Sequence, residues 1–226
     1  MAQSPFQRLI AKLQKEYGRP QPPKLKGVLE YVLWENCAYL ANDEKRAAAF
    51  ALLKKTVGTE PRQILNADPE KLVEVGRFGI VPFNSAKKLR YIAEVAHYTF
   101  NDDVDACLKK PVKEAKKDLR KFPSIGEPGA EKILLFTGAQ RILALDSNAL
   151  RVLLRVGFGE QHKNYAQQYR SAQAATADQL PAKIADVVAA AQLLRRHGQE
   201  LCKTTAPLCD HCPVASDCRF ARTQRT

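Results

Sequence analysis

Cys202, Cys209, Cys212 and Cys218 stand in the last quarter of the chain at the spacing C-x6-C-x2-C-x5-C. Gaps this short bring four soft thiolates round one centre, which suits a tetrahedral zinc ion or a cubane iron–sulfur cluster. Zinc modules close their ligands as two tight knuckles, each with a gap of about two to four residues. Only Cys209 and Cys212 form such a knuckle, and the wide outer gaps favour a 4Fe–4S cluster. Cys37 and Cys107 stand apart and read as reduced thiols without function. The four histidines show no paired spacing for another metal, and His211 reads as a solvent-side loop residue.

A second group of residues offers an anion site. Lys109 to Lys121 reads KKPVKEAKKDLRK, seven basic residues against two acidic ones, and LRKFPSIGEPGAEKILLF continues from Leu119. A basic amphipathic helix there ends at a tight turn with Pro123 and Gly126, and an apolar helix follows at once. Backbone N–H groups of such a turn, beside the positive end of the second helix, can hold a phosphate without regard to base sequence. The same pattern also fits a plain helix–turn–helix packing corner. Asp146 precedes SNALRVLLRV, where a carboxylate suits a helix N-cap.

The elements that must carry these groups are helical. Phe6, Leu9, Ile10 and Leu13 make one apolar stripe, and Val28, Val32 and Leu33 belong to another. Periodicity predicts further helices over 43–56, 69–75, 84–98, 111–121, 129–137, 147–156, 163–174 and 181–197. Turn signals separate them at Gly18 to Pro23, Gly58 to Pro61, Gly79 to Pro82 and Gly157 to Gly159. Ile142 to Leu145 is the one short strand candidate, and no repeat or low-complexity tract is present. The fold class predicted is all-α.

Composition agrees with a compact protein of 226 residues, 45% hydrophobic and 27% charged. No apolar run is long enough to span a bilayer, so no membrane partner is expected. The N-terminal MAQSPFQRLIAKLQKEYG carries charges where a signal peptide needs an apolar core, which points away from secretion. Thiolate-held clusters need a reducing compartment, which points to the cytoplasm. Thirty-six Lys and Arg against 24 Asp and Glu give a formal charge of +12. A cluster with its thiolates at about −2 leaves the protein clearly basic.

Taken in order, the hairpin, an aspartate about twenty residues beyond it and the four-cysteine loop resemble the iron–sulfur branch of the helix-hairpin-helix DNA glycosylases. Endonuclease III and the adenine-DNA glycosylases belong to that branch. FPSIGEPGA resembles the hairpin, LALDSNALRV the segment with the catalytic aspartate, and GIVPFNSAKKL the loop-to-helix entry before them. RRHGQELCKTTAPLCDHCPVASDC resembles the end of the fold running into the cluster loop, so the likeness covers roughly residues 25 to 220.

The resemblance implies a role for each matching position. Asp146 takes the catalytic place, where a fixed carboxylate stabilises oxocarbenium character on the deoxyribose and orients water. Ser124, Gly126, Gly129, Lys121, Lys203 and Arg219 are expected to meet DNA, with Arg222 also flanking the cluster loop. Cys202, Cys209, Cys212 and Cys218 would hold the 4Fe–4S cluster, which braces a basic loop on the duplex. The helix VLEYVLWENCAYL matches the element lining the base pocket, so Tyr31, Trp34, Glu35 and Asn36 are its candidate residues. Asn36 or Cys37 stands where endonuclease III has a glutamine wedge, and Tyr31 where adenine-DNA glycosylases carry a glutamate; Glu35 offers an acid one turn on.

Two departures matter. The bifunctional enzymes carry a nucleophilic lysine two residues after the second hairpin glycine, and here that position is Pro128. Water is therefore the expected nucleophile. Lys132, one helical turn on, could in principle face the same pocket, although an ordinary solvated or phosphate-contacting lysine is the commoner reading. Ser124 replaces the first hairpin glycine, which matters if the turn needs a positive φ.

The expected architecture is a helical barrel over 21–140 with the helix-hairpin-helix at about 111–137. A discontinuous cluster domain of 1–20 plus 141–226 completes it, with Asp146 at the mouth of a cleft. The expected function is a monofunctional base-excision repair glycosylase on double-stranded DNA with a flipped-out lesion base, acting as a nucleoid-associated monomer. A lyase working through Lys132 and a non-catalytic DNA-binding iron–sulfur protein are the alternatives. Adenine excision opposite oxidised guanine is not expected, since those enzymes carry a further C-terminal domain and this chain ends eight residues after Cys218.

Overall fold

A computed structural model of the chain describes residues 3–38 and 41–224. Among the described residues the structure is all-helical, with no strand. The chain divides into two compact units, Lys24–Ile133 and Met1–Pro23 together with Leu134–Thr226.

The continuous unit contains α2 (Gly27–Asn36), α3 (Asp43–Thr56), α4 (Pro61–Leu65), α5 (Pro69–Gly76), α6 (Pro82–Phe100) and α7 (Val112–Leu119). It ends inside α8 (Glu127–Phe136), the second helix of the hairpin. Val28, Val32, Leu33, Leu53, Leu89, Ile92 and Leu119 are fully buried in it. Proline opens α4, α5 and α6 at the first helical position, where its fixed φ suits the helix and its missing N–H costs nothing. Pro61 and Pro82 therefore begin helices, although both were read as turn residues. In α4 a capping box between Glu60 and Gln63 adds to this effect.

The discontinuous unit contains α1 (Pro5–Tyr17), α9 (Ser147–Val156), α10 (Tyr165–Thr176), α11 (Ile184–Glu200) and the short α12 (Arg219–Thr223). Phe6, Leu9 and Leu13 of α1 join Leu150, Leu153, Val187 and Leu194 in one core. Gly198 lets α11 press on the start of α9, since a Cβ there would stand 2.7 Å from the Asn148 carbonyl oxygen.

Ile142 to Leu145 is not a strand. It is an extended, buried segment whose polar groups are met by α10 side chains instead of a ladder partner. Gln173 Nε2 donates to the Leu143 carbonyl, and the Leu145 N–H reaches the Tyr169 hydroxyl.

Candidate active site and sulfur cage

Asp146 sits at the N-cap of α9 with extended backbone, φ −84° and ψ 177°. Its Oδ1 accepts from the Ala149 N–H at 2.8 Å, and its Oδ2 accepts from Arg195 Nη1 at 2.9 Å. Arg195 comes from α11. Both carboxylate oxygens are thus held on rigid helices, while 28% of the Asp146 side chain stays exposed. Tyr165 of α10 lies close enough for the aspartate's charge, after burial, to push its phenol pKa up.

The four cysteines converge. Cys202, Cys209, Cys212 and Cys218 line one small cavity with Val152, Arg155, His197, Leu208 and Phe220. Among the described residues no three His, Cys, Asp or Glu side chains close on a point as the ligands of one ion would. Burial first, and then the charges on Cys218, Cys202 and Cys209, push the Cys212 thiol up to about 11, against a backbone hydrogen bond at Val214 that lowers it. Four thiolates this near one another need a cationic core between them. The donor set, all sulfur in an apolar wall, fits a thiophilic group.

The cage has its own supports. Arg155 Nη1 reaches Cys202 Sγ at 3.4 Å and the Lys203 carbonyl at 2.7 Å, and Arg151 Nε holds the Cys202 carbonyl at 2.8 Å. Both arginines project from α9, the helix that Asp146 caps. Burial pushes His197 down to about 4, so its ring is neutral near pH 7. Burial also keeps the Tyr17 phenol protonated. Tyr17 Oη lies 2.9 Å from His197 Nδ1, and His197 Nε2 lies 3.5 Å from Cys212 Sγ, so the ring bridges the phenol and the sulfur.

At the hairpin, Ser124 adopts φ +62°, so the turn does require a positive φ and a non-glycine residue supplies it. Lys88 Nζ donates to its hydroxyl at 2.9 Å. Gly126 is exposed, and a Cβ there would meet only Pro128 Cδ at 3.9 Å, so the surface above it is open. Gly129 is half-buried over Ile125. Much of the basic run is not free charge. Lys110 and Lys121 both bond to the buried Asp118, and Lys116 bonds to Glu127 and Glu131. Lys121, singled out for DNA, is held in that pair and over the Phe100 ring. Lys203, Arg219 and Arg222 are exposed.

The pocket helix corrects part of the sequence reading. Asn36 is 2% exposed and donates to the Val32 and Pro123 carbonyls, so it ties α2 to the hairpin and cannot meet a base or enter a duplex. Cys37 is equally buried. Tyr31 is buried, and Trp34 packs edge-on against Phe50. Glu35 Oε1 accepts from Lys132 Nζ at 2.6 Å, which joins two residues considered separately. Tyr39 and Leu40, at the end of that motif, lie outside the described residues.

Sequence reasoning missed Arg195, His197 with Tyr17, and the Glu35–Lys132 pair. It also missed the exposure of Ile80, just before α6, and of Phe83 in the first turn of α6, each 67% exposed. Arg195 had one faint signal, a charge placed four residues after the buried Ala191.

An endonuclease III of Sulfolobus acidocaldarius is 24% identical over 225 residues, covering 94% of this chain and 95% of that protein. The solved structure of a trapped endonuclease III–DNA covalent intermediate matches with a TM-score of 0.75 at 16% identity, over 99% of this chain and 100% of that one. A thermostable thymine-DNA glycosylase matches at 0.73 and 13% identity, over 96% and 97%. No protein-family model matches the chain. These solved structures show that the chain has the all-helical fold of those enzymes from end to end.

Proposed function

We propose that the protein is a monofunctional DNA glycosylase of base excision repair, hydrolysing the N-glycosidic bond of a damaged or mismatched base in duplex DNA. The observation that carries this reading is Asp146, a partly exposed carboxylate fixed at both oxygens on the helix that follows the hairpin. Such a group stabilises positive charge forming on the sugar and aligns the attacking water. Pro128 has no amine to form a Schiff base, and Lys132 Nζ is engaged by Glu35 Oε1 at 2.6 Å. Water is the nucleophile that remains.

DNA would be held by the open backbone at Gly126, by Ser124 with Lys88, and by Lys203, Arg219 and Arg222. Ile80 and Phe83 are apolar and exposed, and side chains of that kind can fill the gap a flipped base leaves. Cys202, Cys209, Cys212 and Cys218 would hold a 4Fe–4S cluster, supported by four sulfurs that line one small cavity. The cluster supplies a rigid anchor for the basic loop, and Arg151, Arg155 and His197 orient its ligands.

Anaerobically purified protein should be straw-brown, with broad absorption at the blue end of the visible range. Colourless protein with stoichiometric zinc would remove the cluster from the scheme. Base release from duplexes carrying alkylated bases, uracil, thymine mismatches, hypoxanthine and oxidised pyrimidines tests the activity. No release from any of them favours a non-catalytic DNA-binding protein.

A further inference from the structure

A polar cavity of about 520 Å³ lies between α4 and α6, wholly inside the continuous unit. That volume suits a small organic molecule and is more than a lone inorganic ion fills. Arg62 of α4 lines it together with Arg90, Glu94 and His97 of α6, which share one helix face through their spacing of four and three. One end of the cavity is organised by Asp102. His97 Nδ1 lies 2.9 Å from its Oδ1, and Arg62 Nε lies 3.4 Å from its Oδ2. Asp102 reaches both from left-handed backbone just past α6, φ +66° after Asn101 at +51°. The carboxylate thereby fixes the imidazole, while its contact with Arg62 runs through Nε and leaves the two terminal amino groups for a ligand. A guanidinium fork beside a fixed imidazole suits the oxygens of a phosphate monoester.

The other end has a different character. Arg90 Nε and Glu94 Oε1 stand 3.7 Å apart, beyond hydrogen-bond distance, so donor fork and carboxylate are both left for a ligand. A donor and an acceptor side by side match the mixed edge of a nucleobase; guanine is the clearest case, with O6 and N7 to accept and an amino group to donate. Glu94 also repels a second phosphate at this end. Arg90 and His97 are seven residues apart on one helix, about 10 Å along its axis, which is of the order of a mononucleotide's length. Tyr98 is 78% exposed and set edge-on to His97 with ring centroids 4.8 Å apart, so its open face can stack on a sugar or base. We propose that this cavity binds a nucleoside 5′-monophosphate, free or at the end of a DNA strand, with Arg62 and His97 on the phosphate and Arg90 and Glu94 on the base edge. The site is independent of Asp146 and of the glycosylase reading above.

The test titrates the intact protein calorimetrically with deoxyguanosine 5′-monophosphate, deoxyguanosine and inorganic phosphate. Wild type is expected to bind the nucleotide at least roughly tenfold tighter than either of its parts. Arg62→Met should bring the nucleotide down to the level of the nucleoside, whereas Arg90→Met should weaken nucleotide and nucleoside alike by roughly tenfold. The two arginine side chains are 75% and 49% exposed, so both variants should melt as wild type does. Should either be recovered unfolded, Arg62→Lys and Arg90→Lys keep the charge without the fork and should show part of the same losses. Short single strands ending in a 5′-phosphate or a 5′-hydroxyl separate the two sources. A preference for the phosphorylated end that Arg62→Met erases assigns the strand end, and equal binding of the two strands assigns the free nucleotide. Nucleotide bound no tighter than phosphate or nucleoside overturns the proposal, as does nucleotide affinity unchanged in the arginine variants. Base release by these variants should match wild type, so this site and the glycosylase reading stand or fall separately.

Discussion

Replacing Asp146 by asparagine and by alanine separates its two jobs. As an N-cap it accepts the Ala149 N–H at 2.8 Å, and asparagine caps a helix about as well as aspartate. The asparagine variant therefore loses only the bond to Arg195, a partly exposed pair worth about 1 kcal/mol. Alanine loses the cap too, about 1 kcal/mol more. At roughly 2–4 °C per kcal/mol, Tm should fall by a few degrees in Asp146→Asn and by about twice that in Asp146→Ala. Chemistry should rank them differently. A carboxylate about 4 Å from a forming cation is worth about 4 kcal/mol at an effective dielectric near 20. Arg195 offsets part of this, and the remaining 2–3 kcal/mol or so corresponds to roughly 30- to 150-fold in rate. Both variants should be slowed by about that factor in single-turnover base release, with thermal melting run alongside. Base release by Asp146→Asn at the wild-type rate would refute the charge argument. A Tm as low as that of the alanine variant would refute the capping argument.

Wild-type protein should leave no borohydride-reducible adduct on an abasic duplex, whereas Pro128→Lys should gain one; trapping with the wild type would mean that Lys132 escapes Glu35. Ser124→Gly should raise the melting temperature by the equivalent of about 0.5–1 kcal/mol, because glycine takes φ +62° without strain; a fall would show that the Lys88 bond outweighs the strain. Burial pushes the Asp118 carboxyl up, but Lys110 and Lys121 outweigh it and hold the pKa below the usual range. Its stabilising contribution is therefore complete above about pH 4 and disappears as pH falls through the lowered value. Asp118→Asn should cost about 2 kcal/mol at pH 7, and the gap to wild type should close in acid denaturation curves below about pH 4. A gap independent of pH would mean packing, not charge, is lost.

Local signals were most reliable where a short segment is sufficient. The cysteine spacing marked a single sulfur cage, because gaps of six, two and five residues leave the four side chains little freedom to part. Apolar periodicity located the long helices, since α1, α6 and α9 each bury one stripe, while α11 is buried on most of its circumference. Ser124 was legible as a candidate for a positive φ, because the turn, not its neighbours, sets φ. Pro61 and Pro82 were misread because proline serves equally as a turn residue and as the first residue of a helix. Ile142 to Leu145 was misread because its pairing groups are met by Gln173 and Tyr169, about 30 and 24 residues away in sequence.

The sequence by itself determined the all-helical class, the convergence of the four cysteines, the hairpin and the helix-capping position of Asp146. These depend on residue type and on neighbours a few positions away. Only the tertiary structure decided which charges are engaged. It paired Asp146 with Arg195 across 49 residues and Glu35 with Lys132 across 97, neutralised much of the Lys109–Lys121 run, and sealed Asn36 beneath the hairpin. The reason is physical: a periodic pattern says which face of a helix is buried, whereas a charge's partner depends on which helix arrives opposite it.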